Sequence, residues 1–280
     1  MPRHYRSVMG TREQGHRRPA AVAASVLALT VSSALPSVAA PDEVTYDALG
    51  DSYASGAGSG PLGACGQSEA AYPERLDARK KISLDDDNTC AGATVQTMLE
   101  TQLVGLDDAE LVTVTIGGNN IGWSQAIGAC LAYDEETCEW AVGQSTWAIT
   151  NVLPPLLDTA YAAVHASAPE AHVVVTGYPR LFSPEFGDYA VTGTPLVATV
   201  SEQQLLNAGA DQLNAVIAAK AAEHGFQYVD VTEKFSGHGV NAPDAWITGA
   251  QDMVPFHPTA AGQDAYAAAV TSQLDPRSLR

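Results

Sequence analysis

Basic side chains are scarce in this sequence, and the shortage limits the partners it can bind. The 280 residues contain 14 lysines and arginines against 32 aspartates and glutamates, so the formal net charge is −18. An acidic surface of this strength repels phosphate backbones and anionic lipid headgroups. We therefore expect no nucleic-acid partner.

Several motifs that identify common enzyme classes are also missing. The absence of G-x-S-x-G argues against the nucleophile elbow of α/β-hydrolases, and the absence of H-E-x-x-H leaves zinc proteolysis without support. The stretch from Gly58 to Gly63 formally matches G-x-G-x-x-G, but it does not directly follow a strand and has Pro61 where a helix must open. A dinucleotide site is therefore not predicted.

No apolar run is long enough to span a bilayer, although residues 1–39 have the three parts of an export signal. Five arginines precede an apolar run at 20–31, and Ser37 and Ala39 supply small residues before a cleavage site. Polar residues and Pro36 keep the apolar run short of the roughly 18 residues that a membrane anchor needs. We expect residues 1–39 to be a signal peptide and residues 40–280 to form one secreted, extracellular domain without an integral membrane segment.

The mature chain is more acidic still and contains all the cysteines. Removing the five arginines and one glutamate of residues 1–39 leaves a net charge of −22. Four cysteines in an oxidising compartment predict two disulfides, for which three connectivities are possible. Pairing Cys65 with Cys90 and Cys130 with Cys138 closes two short loops and is the simplest of the three. Zinc binding is the alternative, but there is no C-x-x-C motif and no histidine at ligand spacing to a cysteine.

Strand-like and helix-like segments alternate along the mature chain. Runs that are apolar or β-branched on both faces occur at 44–49, 111–116, 172–176 and 226–231. Apolar residues at helical spacing occur at 93–103, 156–168, 202–224 and 259–274, although Gly209 on the third stripe costs about 1 kcal/mol relative to alanine. This alternation predicts a parallel, three-layer α/β/α fold.

Three polar residues follow predicted strands or precede a predicted helix, where chemistry gathers in open α/β sheets. Ser52 comes just after the first strand, Asn119 follows two glycines after the second, and His257 stands directly before Pro258. Each pattern alone is ordinary turn or surface chemistry. Together they supply the nucleophile, the oxyanion donor and the base that acyl transfer needs.

Four ordered blocks resemble those of the SGNH (GDSL-type) hydrolase superfamily, and specifically its secreted actinobacterial lipase and esterase branch. The blocks are 48–56, 90–94, 116–120 and 256–262, and the resemblance covers residues 46–268. It implies a flavodoxin-like sheet, with Ser52 as nucleophile and His257 as base. It also implies an oxyanion hole made by the backbone N–H groups of Ser52 and Gly92 and by the Asn119 amide. The placements of the four cysteines resemble this branch too.

The sequence departs from the family pattern at the third catalytic position. The acid of the usual D-x-x-H motif is absent, because Val254 stands three residues before His257. By resemblance to related secreted enzymes, we predict that the Val254 backbone carbonyl orients the imidazole, with Asp252 as the alternative. A carboxylate would stabilise the imidazolium more than a carbonyl does.

The expected activity is hydrolysis of small-molecule or lipid carboxylic esters by a monomer, without a metal or organic cofactor. The sequence does not distinguish a lipase from a carbohydrate acetylesterase, since it identifies neither an apolar acyl groove nor a polar one. A non-catalytic extracellular binding module with this fold is the alternative from another functional class, and the four intact blocks argue against it.

Overall fold

The computed structural model describes residues 43–77, 79 and 81–274. The predicted signal peptide, residues 1–39, lies outside this range. Among the described residues, no helix combines the length and the apolar character needed to cross a bilayer.

A five-stranded sheet organises the described part of the chain, and all its strand pairs are parallel. The strands are β1 (Val44–Gly50), β2 (Ile82–Asp87), β3 (Leu111–Thr115), β4 (His172–Thr176), β5 (Tyr189–Ala190), β6 (Val197–Ala198) and β7 (Gln227–Val229). The sheet has the order β2-β1-β3-β4-β7, while β5 and β6 form a separate antiparallel pair. Because β5 and β6 are outside the main sheet, β7 is its fifth strand in chain order. The strand order of the main sheet is therefore 2-1-3-4-5, which is the flavodoxin-like arrangement.

Helices cover both faces of the sheet. They are α1 (Tyr72–Asp77), α2 (Val95–Thr101), α3 (Trp123–Ala132), α4 (Glu135–Asn151), α5 (Leu153–Ser167), α6 (Val200–Glu223) and α7 (Ala260–Gln273). Side chains alternate along each strand, so Val112 and Val114 of β3 pack with α2, α5 and α6, whereas Tyr46 and Ala48 of β1 pack with α1 and α7 on the other face. The predicted three-layer α/β/α fold is therefore confirmed.

Two disulfides cross-link segments of this framework. Cys65 is bonded to Cys90, and Cys130 is bonded to Cys138, which is the local pairing among the three possibilities. The first joins the loop after β1 to the loop after β2, and the second joins the end of α3 to the start of α4.

Candidate active site

Ser52 lies in a tight turn at the carboxyl end of β1. The turn begins at Gly50, where φ is +147° and an added Cβ would approach the Thr115 carbonyl oxygen to 2.5 Å. The Asp51 N–H donates to the same carbonyl at 2.9 Å, which fixes the turn against β3. Ser52 is largely buried, with 8% of its surface exposed, and it lines the crevice at this end of the sheet.

Asp51 connects this turn to two neighbouring loops. Its Oδ1 accepts from the Tyr53 N–H at 3.0 Å, and its Oδ2 accepts from the Tyr178 hydroxyl at 2.6 Å. The same hydroxyl accepts from the Gly118 N–H at 3.1 Å, one residue before Asn119. Burial raises the pKa of Asp51 to about 7, although both hydrogen bonds oppose the shift. The sequence motifs did not identify Tyr178 as part of the site.

His257 approaches Ser52 from the opposite end of the chain. Its Nε2 lies 2.7 Å from Ser52 Oγ, within proton-transfer distance. The backbone N–H of His257 donates to Thr248 Oγ1 at 2.9 Å, and helix α7 begins three residues later behind the Thr259 cap. Gly58 packs against the histidine, since an added Cβ there would lie 2.8 Å from His257 Cβ. Desolvation lowers the pKa of His257, and a backbone hydrogen bond partly offsets this, so the neutral base is favoured near pH 7.

The third-member prediction is wrong in both of its forms. The Nδ1 atom of His257 lies 2.7 Å from the carbonyl oxygen of Pro255. The Val254 carbonyl accepts instead from Thr248 Oγ1 at 2.6 Å, and Asp252 Oδ2 accepts from the Gly249 N–H at 2.6 Å. The reason is local backbone geometry: Phe256 has φ of +60°, which folds the chain tightly enough for the nearer carbonyl to reach the ring.

The two other predicted oxyanion donors line the same cavity as Ser52. Gly92 has φ of +80°, and its loop is held by the Cys65–Cys90 disulfide and by a bond from the Cys90 N–H to the Gly50 carbonyl at 3.0 Å. Asn119 donates its side-chain amide to the Ala93 carbonyl at 2.9 Å, which fixes its orientation beside Gly92. An amide has two N–H bonds, so one is left for a ligand.

Asn120 stands where the family pattern often has aspartate. Its Oδ1 accepts from the Val95 N–H at 3.0 Å, at the start of α2. It therefore fastens the loop of Asn119 to a helix and does not line the cavity.

A cavity of about 590 Å³ extends from Ser52 and His257. One wall is a stripe along α3, where Trp123, Ile127 and Leu131 recur at four-residue spacing. Leu181 from the loop after β4 and Leu213 from α6 also line the cavity, so its surface is mostly apolar. Sequence reasoning missed this wall, although the four-residue spacing of apolar residues was a signal that could have revealed it.

Trp123 is placed by a glycine on the neighbouring helix. An added Cβ at Gly209 of α6 would lie 2.5 Å from the indole ring, so only glycine permits this approach. Gly209, which lowers the helix propensity of α6, therefore makes room for Trp123 in the wall of the cavity.

Among the described residues, one group of three His, Cys, Asp or Glu side chains lies close enough to hold a metal ion. It consists of Asp47, Asp85 and Asp86, and none of these residues lines the cavity. The cavity itself presents a serine, a histidine and amide groups, a set suited to acyl transfer.

Comparison with known proteins gives consistent matches over most of the chain. The GDSL-like lipase/acylhydrolase family matches residues 48–265. Lipase 1 of Streptomyces coelicolor is 36% identical over 252 residues, which cover 87% of this chain and 90% of that protein.

Two solved structures match the fold of this chain. Phospholipase A1 from Streptomyces albidoflavus NA297 is 35% identical with a TM-score of 0.76, and the match covers 83% of this chain and all of that one. The extracellular lipase from Streptomyces rimosus is 34% identical with a TM-score of 0.76, and the match covers 82% of this chain and all of that one.

Proposed function

The chain belongs to the GDSL-like lipase/acylhydrolase family and is a carboxylic ester hydrolase, and from this premise we propose that it cleaves lipid esters outside the cell with Ser52 as nucleophile and His257 as base. One observation carries the proposal: Ser52 Oγ lies 2.7 Å from His257 Nε2 in the wall of an apolar cavity. The matched relatives are named lipase and phospholipase A1, which supports a lipid ester as substrate.

In the proposed cycle, His257 accepts the Ser52 proton as the hydroxyl oxygen attacks the ester carbonyl carbon. The protonated imidazole then gives this proton to the departing alcohol, and a water activated by the same nitrogen releases the acyl group from the serine. The Pro255 carbonyl accepts the Nδ1–H, which keeps the lone pair of Nε2 directed at Ser52 and favours the imidazolium as it forms. No step requires a cofactor.

The oxyanion of the tetrahedral intermediate would be held by the N–H groups of Ser52 and Gly92 and by the Asn119 amide. In the described residues, neither backbone N–H has a hydrogen-bond partner. The Asn119 amide is already oriented by its bond to Ala93, so little reorganisation is needed when charge develops. Replacing such a donor typically costs about 10²–10³ in kcat.

The direct test of the nucleophile is inhibition by a serine-directed phosphonate. We expect stoichiometric labelling of the mature protein at Ser52, and no labelling and no turnover of p-nitrophenyl butyrate in Ser52→Ala. Esterase activity that persists in Ser52→Ala would refute the assignment.

The cavity predicts a preference for long acyl chains, because an apolar chain leaves water when it enters. We expect the kcat/KM of p-nitrophenyl esters to peak at octanoyl or longer. A peak at acetyl would instead identify a carbohydrate acetylesterase and overturn the lipid assignment.

Gly128 offers a way to fill the cavity without disturbing the fold. It lies in the middle of α3 and lines the cavity, and an added Cβ would meet no atom within 4 Å. Gly128→Phe should therefore shift the preferred ester toward shorter chains while activity on acetyl is retained. Gly143→Phe is the matched control, since Gly143 lies within α4, is equally open and is outside the cavity. Equal chain-length profiles for the two variants would contradict this placement of the acyl chain.

Export also belongs to the proposal. The two disulfides and the extracellular relative support secretion, with residues 1–39 removed. Sequencing the amino terminus of protein from the culture medium should find Ala40 as the first residue, whereas intact residues 1–39 on the secreted protein would refute the predicted cleavage.

A further inference from the structure

Three aspartates on the edge strand β2 and on its neighbour β1 lie close together. Asp47 of β1 and Asp85 and Asp86 of β2 each contribute an oxygen, and these oxygens lie within 4.8 Å of one another. The register of β2 against β1 shifts at this point, so Leu84 faces Tyr46 and Asp86 faces Asp47. Asp85 is the extra residue of the bulge, which is why two consecutive carboxylates reach the same place.

Asp47 is the unusual member of this aspartate cluster. The residue is 1% exposed, and its Oδ1 accepts from the Asp86 N–H at 3.0 Å. Its Oδ2 is buried and has no hydrogen-bond partner among the described residues. A buried, unpaired carboxylate oxygen is costly unless an ion or a proton satisfies it.

The surroundings of the cluster add negative charge. Asp108 lies near enough to Asp47 to add a further negative charge to that of the three clustered carboxylates. None of the ion pairs formed within the described residues involves the three clustered aspartates. The loop at Gly105 lies directly against Asp86 Oδ2, where any larger residue would overlap it.

We propose that Asp47, Asp85 and Asp86 bind a calcium ion that stabilises the edge of the sheet. Calcium takes oxygen ligands at about 2.3–2.6 Å, so two oxygens bound to one ion are at most about 5 Å apart, a limit that these carboxylates meet. Asp85 is exposed, which leaves the remaining ligand positions open to water. The all-oxygen set at an open strand edge fits calcium better than zinc, which favours nitrogen and sulfur. This site is separate from the proposed ester chemistry.

The site should bind with the weak affinity of extracellular calcium modules, about 10⁻⁴–10⁻³ M. At a calcium concentration ten times the dissociation constant, the folding equilibrium constant should rise about elevenfold. For a chain of this size, that corresponds to an increase in Tm of roughly 3–6 °C.

The experiment compares the thermal unfolding of calcium-free mature protein with and without CaCl₂, at matched ionic strength in NaCl and at pH 8. We expect the Tm increase in the wild type and in Glu136→Gln, a control that removes one exposed carboxylate from α4. Asp47→Asn and Asp85→Asn should lose most of the increase. Without calcium, both variants should match or exceed the stability of the wild type, because each removes repulsion within the cluster.

Direct binding of radioactive calcium by equilibrium dialysis makes the test independent of the folding of any one variant. One ion per wild-type chain, with weaker binding in Asp85→Asn, supports the site. The proposal is overturned if the wild type shows no calcium-dependent increase in Tm, or if Asp47→Asn and Asp85→Asn respond as the wild type does.

Discussion

Tyr178→Phe removes one oxygen atom that connects the turn of Ser52 to the loop of Asn119. That oxygen donates to Asp51 Oδ2 at 2.6 Å and accepts from the Gly118 N–H at 3.1 Å, while the ring packs edge-on against Tyr53 with centroids 5.1 Å apart. The substitution keeps the ring and should keep this packing. Its effects therefore report on the two hydrogen bonds.

The expected loss of stability follows from those bonds. A hydrogen bond to a charged group contributes about 1.5–3 kcal/mol, and the Gly118 N–H loses an acceptor as well, so we expect unfolding in urea to be easier by about 2–3 kcal/mol. The hydroxyl lowers the pKa of Asp51, so its removal should raise that pKa further above about 7. A raised carboxyl pKa means that the folded state binds more protons than the unfolded state, and stability then falls as the pH rises. The loss in free energy of unfolding caused by Tyr178→Phe should consequently be larger at pH 9 than at pH 6.

Catalysis should suffer because Gly118 positions the next residue. We expect kcat for p-nitrophenyl butyrate to fall roughly tenfold with little change in KM, less than the about 10²–10³ expected for Asn119→Ala, because the donor is displaced but not removed. Tyr161→Phe is the matched control, since the Tyr161 hydroxyl is buried without a hydrogen-bond partner among the described residues. If Tyr178→Phe keeps kcat within twofold of the wild type while Asn119→Ala does not, the hydroxyl has no positioning role.

Three further outcomes follow from the site. Asp252→Asn should leave kcat/KM within about twofold of the wild type, because the Pro255 carbonyl, and not Asp252, contacts the imidazole. A loss approaching that of His257→Ala would show that the Asp252 carboxylate is the third catalytic member. The acid limb of the pH profile of kcat/KM should have its midpoint below 6.5, since desolvation lowers the pKa of His257, and a midpoint above 6.5 would contradict this. Replacing Cys65 and Cys90 by alanine should cost about 3 kcal/mol in urea unfolding and lower kcat by loosening the loop of Gly92; unchanged kcat would show that the disulfide does not position this loop.

Each of the four runs predicted as strands contains a strand of the main sheet, three in its interior and one at an edge. The runs at 44–49, 111–116 and 172–176 became β1, β3 and β4, the interior strands, whose mostly apolar or β-branched side chains are covered by helices on both faces, and the run at 226–231 became the edge strand β7. Strand β2 went unpredicted because half of it is the aspartates at 85–87, which remain in contact with water at the edge of the sheet. Edge position depends on the assembled sheet and leaves little trace in the local sequence.

Some features of the candidate site could be predicted from the sequence and others could not. The proximity of Ser52 and His257 could be predicted, because acyl transfer would demand those residue types at those strand and helix ends. The partner of the imidazole could not, because the carbonyl that faces the ring depends on the backbone angles of Phe256 and not on the number of residues before the histidine. Trp123 was missed for a third reason: its role depends on α6 lying alongside α3.

The close approach of Gly209 to Trp123 has a consequence for how selectivity can change. The indole of Trp123 lines the cavity, whereas Gly209, which sets how closely α6 approaches it, does not. Mutations that change the spacing of α3 and α6 can therefore change the shape of the cavity, and with it the preferred ester, without altering Ser52 or His257. In an enzyme built this way, the range of substrates can change while the catalytic residues stay the same.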